Sequence, residues 1–229
     1  MIPSPATLSP ENEGGEMVQL PMFPLGSVLL PWMPLALRVF EPRYLRMVGE
    51  LLDRDEPEFG VVLIERGFEV GGGDQRFSLG TTARILQIEA PEGYLALVAQ
   101  GQRRFVVDHW GDEEPYPMAE VTFLPEWNVP DEIESSLPLR EATVRDIVSV
   151  LEQRGQSLWP ADTALSDEPT AMLWQLAGLL PVSALDHQRF LESESAEQLA
   201  EAIDEAVEAL RELTEWDGDL SGDLESDSD

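Results

Sequence analysis

Residues 17–37 read MVQLPMFPLGSVLLPWMPLAL, twenty-one residues without a charge. A span of about 20 apolar residues could cross a membrane as a helix. Four prolines (Pro21, Pro24, Pro31, Pro34) and Gly26 forbid an unbroken helix here, and lipid would leave the interrupted backbone without hydrogen-bond partners. The segment is therefore not read as a membrane span. A short strand over Ala36–Phe40 follows, and a helix opens at Glu41-Pro42-Arg43-Tyr44. Proline suits the first helical position, and Glu41 sets a negative charge at the positive end of the helix. Tyr44, Leu45, Val48, Leu51 and Leu52 predict its inward face.

Upstream, residues 1–16 hold three acids and no arginine, unlike a secretory signal. The expected location is cytoplasmic. Rich in Pro, Glu, Gly and Ser, these residues read as a disordered leader. Residues 17–127 read as mainly β, with strands over 59–65, 80–90, 94–100, 103–110 and 118–124. The period then changes. Helices are predicted from Pro138 to Arg154, from Pro169 to Leu180, around Leu185–Leu191, and from a Ser195/Gln198 capping box to about Trp216. The last has Leu199, Ile203, Val207, Leu210 and Leu213 as its inner face. Residues 128–216 thus form a helical bundle after a β domain, an α+β chain. Residues 217–229, DGDLSGDLESDSD, carry six acids and no base and read as an acidic disordered tail.

The block Leu20–Val48, LPMFPLGSVLLPWMPLALRVFEPRYLRMV, closely resembles the start of the Lon protease N-terminal (substrate-binding) domain. Leu180-Pro181-Val182 with Gln188-Arg189-Phe190-Leu191-Glu192 resembles a later region of that family, and Gly80-Thr81 and Gly101–Phe105 resemble its strand signatures. The resemblance implies a PUA-like β pseudo-barrel followed by a helical bundle. It also implies recognition of unfolded or apolar polypeptide segments, in a stand-alone form or as an adaptor to a separate protease or chaperone. Two positions depart from the pattern: Trp32 stands where glycine is usual, and Gln198 falls near where arginine is frequent.

All 14 basic residues are arginine; the chain has no lysine and no cysteine. A P-loop needs its lysine, and the Lon peptidase uses a Ser–Lys dyad, so neither engine can be built from these residues. Thiolate metal sites and disulfides are excluded as well, and two histidines are too few for a histidine-rich metal site. The net charge of −31 repels phosphate backbones and anionic membranes. Neither nucleic acid nor membrane is expected as a partner, and no cofactor. A basic partner would be steered in. The second reading is accordingly an acidic scaffold or regulator that binds one defined basic protein. Oligomeric state is not legible.

Candidate catalytic pairs dissolve on inspection. Asp108-His109 and Asp186-His187 are sequence neighbours, which point apart on a strand and on a helix. Gly155-Gln156-Ser157 has half of a nucleophile elbow and follows a helix instead of a strand. Gly71-Gly72-Gly73-Asp74 lacks the lysine and the following helix of a phosphate cradle. The chain is expected to be non-catalytic, with a peptide-binding set of Trp32, Met33, Arg43, Arg103 and Arg104. Trp32 and Met33, between Pro31 and Pro34, offer a stiffened aromatic and a polarizable contact for varied apolar side chains. The arginines offer cations to a ligand carboxylate. Against this, Trp32 has a packing role open to it, and the arginines have internal carboxylates to pair with.

Overall fold

The apolar stretch that opens the chain becomes a strand, β1 (Val18–Leu25), despite its two prolines. The computed structural model describes residues 17–66 and 75–222; the leader, the Gly71–Asp74 loop and residues 223–229 lie outside the described residues. β1 tolerates proline because its two halves are served from different sides. Val18–Pro21 pair antiparallel with β6 (Met118–Phe123), and Met22–Leu25 pair parallel with β3 (Glu58–Arg66). Each half is thus an edge on one side, where a missing N–H breaks no ladder.

The remaining strands are β2 (Pro34–Val39), β4 (Gln75–Glu89) and β5 (Leu95–Trp110), in the order β2-β5-β4-β3-β1-β6. β6 also pairs with β5, closing five strands into a ring and leaving β2 attached to β5 from outside it. β5 is continuous where the sequence suggested two strands split at Gly101. The glycine there marks a close approach and not a turn, as shown below. Inside the ring, Leu20, Met22, Val62, Phe105, Val107, Ala119 and Val121 form one buried cluster. Gly60 and Gly80 leave the space that the Phe105 ring fills.

Helix α1 (Pro42–Leu51) begins with its proline in the first turn, as the sequence predicts. Its buried face is Tyr44, Met47, Val48 and Leu51, so Met47 takes the place expected for Leu45, and Leu52 is exposed. Tyr44 stacks on Phe23 of β1, ring centroids 4.0 Å apart. Each such buried side chain contributes about 1.5–3 kcal/mol.

At the other end of α1, the Tyr116 hydroxyl donates to Glu50 Oε2 at 2.6 Å, and Arg46 Nε donates to Glu50 Oε1 at 2.7 Å. The Tyr116 hydrogen bond, then Arg46, holds the Glu50 carboxyl below its usual value of 4.5. Burial, then the bond to Glu50, pushes Tyr116 above its usual 10.0. The Glu50 contribution is complete above pH 4.5 and is lost as pH falls through the lowered folded value; that of Tyr116 is complete below pH 10.0 and is lost as pH rises. Tyr116→Phe is therefore expected to shrink the loss of stability between neutral pH and pH 3. Urea midpoints across that range check it, and an acid limb as steep as wild type would contradict the assignment.

Residues 17–127 form one compact unit with the short helix α4 (Ala184–Leu191); residues 128–183 and 193–222 form the other. The sequence placed α4 in the bundle, a difference that follows from Arg104, described below. The helical unit holds α2 (Asp131–Gln153), α3 (Pro169–Leu179) and α5 (Ala196–Gly222). α2 starts seven residues before Pro138, which lies inside it, because Asp131, Glu132 and Glu134 fill the first turn where acids are favoured. It stops at Gly155, whose φ of 70° suits glycine. Gln156 N–H bonds Leu151 O and Gly155 N–H bonds Glu152 O there. In α3, the Glu168 carboxylate caps Thr170 and Ala171 N–H. One arm of the predicted capping box of α5 is present, Gln198 N–H reaching Ser195 Oγ, while Gln198 Oε1 accepts from Glu194 N–H, one residue before Ser195. Leu199, Ile203 and Val207 are buried as expected, whereas Leu213 is exposed. The helix continues to Gly222, six residues into the segment read as tail.

Candidate functional site

The turn before β2 is built around one strained residue. Trp32 has φ of 64°, the one non-glycine residue with positive φ among the described residues. Trp32 N–H donates to Gly101 O at 2.8 Å, and Gly101 N–H donates to Met33 O at 2.9 Å. Two residues thus oppose one, a bulge whose first position lies in the left-handed region and ordinarily takes glycine. A tryptophan there costs about 1–2 kcal/mol of backbone strain. It is held by what surrounds it: Gln100 Nε2 donates to Trp32 O at 3.4 Å, and Gln102 Nε2 to Gln100 Oε1 at 3.4 Å. Gly101 has no room for a side chain, since a Cβ would lie 2.2 Å from Leu30 O. Trp32 is half-buried, and Met33 is buried at 5% exposure.

The three arginines of the predicted set are engaged within the protein. Arg43 Nε lies 3.1 Å from Glu41 Oε2, with its guanidinium over the Tyr44 ring. Arg103 stacks on Phe123 at 3.8 Å from the ring centre. Arg104 is buried at 8% exposure, donates from Nη1 to Leu191 O at 2.8 Å, and lies 5.5 Å from the Trp127 ring centre. Burial lowers its guanidinium to about 10, still protonated at neutral pH. Aromatic rings thus engage Arg103 and Arg104, and a carbonyl engages Arg104. Trp32, Arg103 and Arg104 share the middle of β5, directly or through Gly101; Arg43 belongs to α1.

Each unit also carries a groove among the described residues. One of about 440 Å³ runs over β2, β5 and β4, lined by Ala36, Leu37, Arg38, Gln87, Glu89, Ala96, Leu97 and Val98. Nothing in the sequence reading singled it out. Its signal was the alternation in PLALRVF, which sets Ala36, Arg38 and Phe40 on one face. The other, about 670 Å³, lies between α2 and α5 in the helical unit, with Glu197, Glu201, Glu205, Glu208, Glu212 and the Arg140–Asp204 ion pair around Ile133, Ala200 and Ala209.

Three of the residues weighed as catalytic are engaged elsewhere. Asp108 accepts from Thr122 Oγ1 at 2.7 Å, Asp186 faces Arg189, and Ser157 Oγ donates to Trp159 O. Among the described residues no group of three His, Cys, Asp or Glu is placed to hold a metal ion. Nor is any described helix long and apolar enough to cross a membrane.

Residues 19–208 match the family of the ATP-dependent protease La (LON) substrate-binding domain. The chain belongs to this family. A Lon N-terminal domain protein of Xanthomonas campestris is similar in structure, with a TM-score of 0.55 at 28% identity over 80% of this chain and 96% of that one. The N-terminal domain of a Mycobacterium avium complex Lon protease shares the fold at a TM-score of 0.58 and 16% identity, over 83% and 98% of the two chains. Lon protease 2 of Sorangium cellulosum is 32% identical over 203 residues, 82% of this chain and 24% of its own length. Lon protease of Escherichia coli K12 is 26% identical over 216 residues, 91% of this chain and 26% of its own length. The chain thus spans about a quarter of these Lon proteases, the part that corresponds to their substrate-binding domain. A Lon substrate-binding domain is a substrate-recognition module.

Proposed function

We propose that the β unit captures exposed apolar segments of unfolded polypeptides without catalysing a reaction, and presents them to a separate protease or chaperone. The turn at Trp32 is its contact. The observation that carries this reading is the strain: a half-buried aromatic is kept at a φ of 64° where glycine would relieve the backbone. Residues held in such conformations cluster at binding sites. Met33, being buried, supports the turn from behind, and the arginines fix the strands that frame it.

Two substitutions separate strain from contact. Both Trp32→Ala and Trp32→Gly delete the indole, but only alanine retains the left-handed penalty, so the glycine variant should be the more stable by about 1 kcal/mol in urea unfolding. Binding of a reduced, alkylated reporter protein should fall about tenfold in both, a loss of the size expected for one aromatic anchor. Unchanged binding in the two variants would remove Trp32 from the site.

A second reading, an acidic scaffold for one basic protein, is favoured by the groove between α2 and α5, where five further carboxylates stand beside the Arg140–Asp204 pair around an apolar floor. Salt distinguishes the two. Acidic-surface binding weakens steeply with ionic strength, and apolar capture does not.

A further inference from the structure

Within the ring the open half-edges of β1 carry its prolines, whereas β2 stands outside the ring. Its ladder partner among the described residues is β5, in register from Pro34↔Gln100 to Val39↔Leu95. Backbone hydrogen bonds beyond the ladders reach Trp32 and Met33 and involve none of Leu35–Val39. One row of N–H and C=O groups therefore faces outward over five residues, a template for another strand. Beside it, the groove over β2, β5 and β4 is floored by small side chains, Ala36, Ala96 and Val98. At the end of β2, on the face of Ala36 and Arg38, Phe40 is 57% exposed.

The charge at this edge says what fits it. Among the described residues eight arginines form ion pairs with the protein's own carboxylates. Arg38 is exposed, lies over the Tyr94 ring at 5.0 Å, and forms no ion pair among the described residues. In a protein of net charge −31, a cation left on an open strand edge is complementary to an anion from outside. The groove's own acid, Glu89, sits on β4, two strands from β2, and its carboxylate accepts from Gln87. An added strand lies about 4.8 Å from β2 and three strand spacings from β4, so Arg38 is the nearer charge by far.

Resting on the recognition reading above, we infer that β2 is the docking strand for an extended internal segment of an unfolded chain, apolar at alternate positions, with an acidic side chain opposite Arg38. Backbone pairing supplies the affinity and tolerates varied sequence; Arg38 supplies register and preference. An edge blocked by Pro34 and Arg38 against all strands is the opposing possibility.

The test uses the full chain and fluorescein-labelled octapeptides in which Leu or Val alternates with Ser, one central Ser being replaced by Glu or by Lys, read by fluorescence anisotropy. Wild type is expected to bind the Glu peptide about fivefold more tightly than the Lys peptide, the size of an exposed ion pair. Arg38→Glu should reverse that order with an unchanged melting temperature. N-methylation of alternate peptide amides should reduce binding at least about tenfold, the loss expected when ladder bonds are removed. The same order of the two peptides in both proteins, or no effect of N-methylation, overturns the docking strand. A reduced, alkylated reporter protein serves as the parallel probe. If it binds while the peptide arms fail, the edge is wrong and recognition stands; if it does not bind either, both fall.

Discussion

Gly101→Ala is expected to destabilise the protein by about 3 kcal/mol, at the upper end of what overpacking a well-filled site costs. For a chain of this size that corresponds to a fall of about 6–12 °C in melting temperature. The added Cβ would lie 2.2 Å from Leu30 O, 3.0 Å from Leu30 C and 3.2 Å from Leu29 Cγ. The first two are backbone atoms of the loop that Gly101 itself holds through its bonds to Trp32 and Met33. Relief therefore requires moving that loop, and peptide binding should fall together with stability. Gly49→Ala is the control. Nothing lies within 4 Å of its Cβ position, and replacing an exposed helical glycine should add up to about 1 kcal/mol. Equal urea midpoints for the two variants would contradict the close-approach account.

Arg104→Ala should cost about as much, about 3 kcal/mol, for a different reason. Its guanidinium satisfies the Leu191 carbonyl at the end of α4 and lies near the Trp127 ring, all within a buried environment. A hydrogen bond from a charged group is worth about 1.5–3 kcal/mol, and the alanine also leaves a cavity. Arg104→Met fills most of the space and removes a charge whose burial is itself costly, so its loss should be about half as large. Unfolding midpoints in the order wild type, Met, Ala check this. An alanine variant within 0.5 kcal/mol of wild type, a change typical of an inert surface position, would show that the contact is incidental.

Much of the architecture was legible because periodicity and punctuation are local. The proline-led start of α1, the Ser195 cap of α5 and the switch from strands to helices need no tertiary knowledge. β1 was not read as a strand, because its prolines are tolerated only by a pairing that changes partner midway, at Met22. Gly101 was read as a break for a related reason: a glycine required by Leu30 O looks, in sequence, like a glycine required by a turn. The start of α2 was misplaced to Pro138 because the acids of its first turn were a weaker signal than the proline. As for the site, the special status of Trp32 could be seen against the glycine of related sequences, but not the positive φ that explains it. The roles of Arg103 and Arg104 depend on rings and a carbonyl brought from 20 to 87 residues away, which no local pattern encodes. β2's open edge was hidden because an unpaired strand has the same alternation as a paired one.

The position of α4 decides how this molecule can be dissected. The chain leaves the β unit at Trp127, returns for residues 184–192 and leaves again. A contiguous fragment ending at Trp127 lacks the carbonyl that Arg104 binds, exposing a cation designed for enclosure. Expression clones cut at the apparent domain boundary should yield aggregation-prone material, whereas a splice of Trp127 through a short linker to Ala184 should give a soluble minimal binder. Conversely, a single protease nick between residues 128 and 183 would not release the whole β unit, because its own last helix lies beyond the cut.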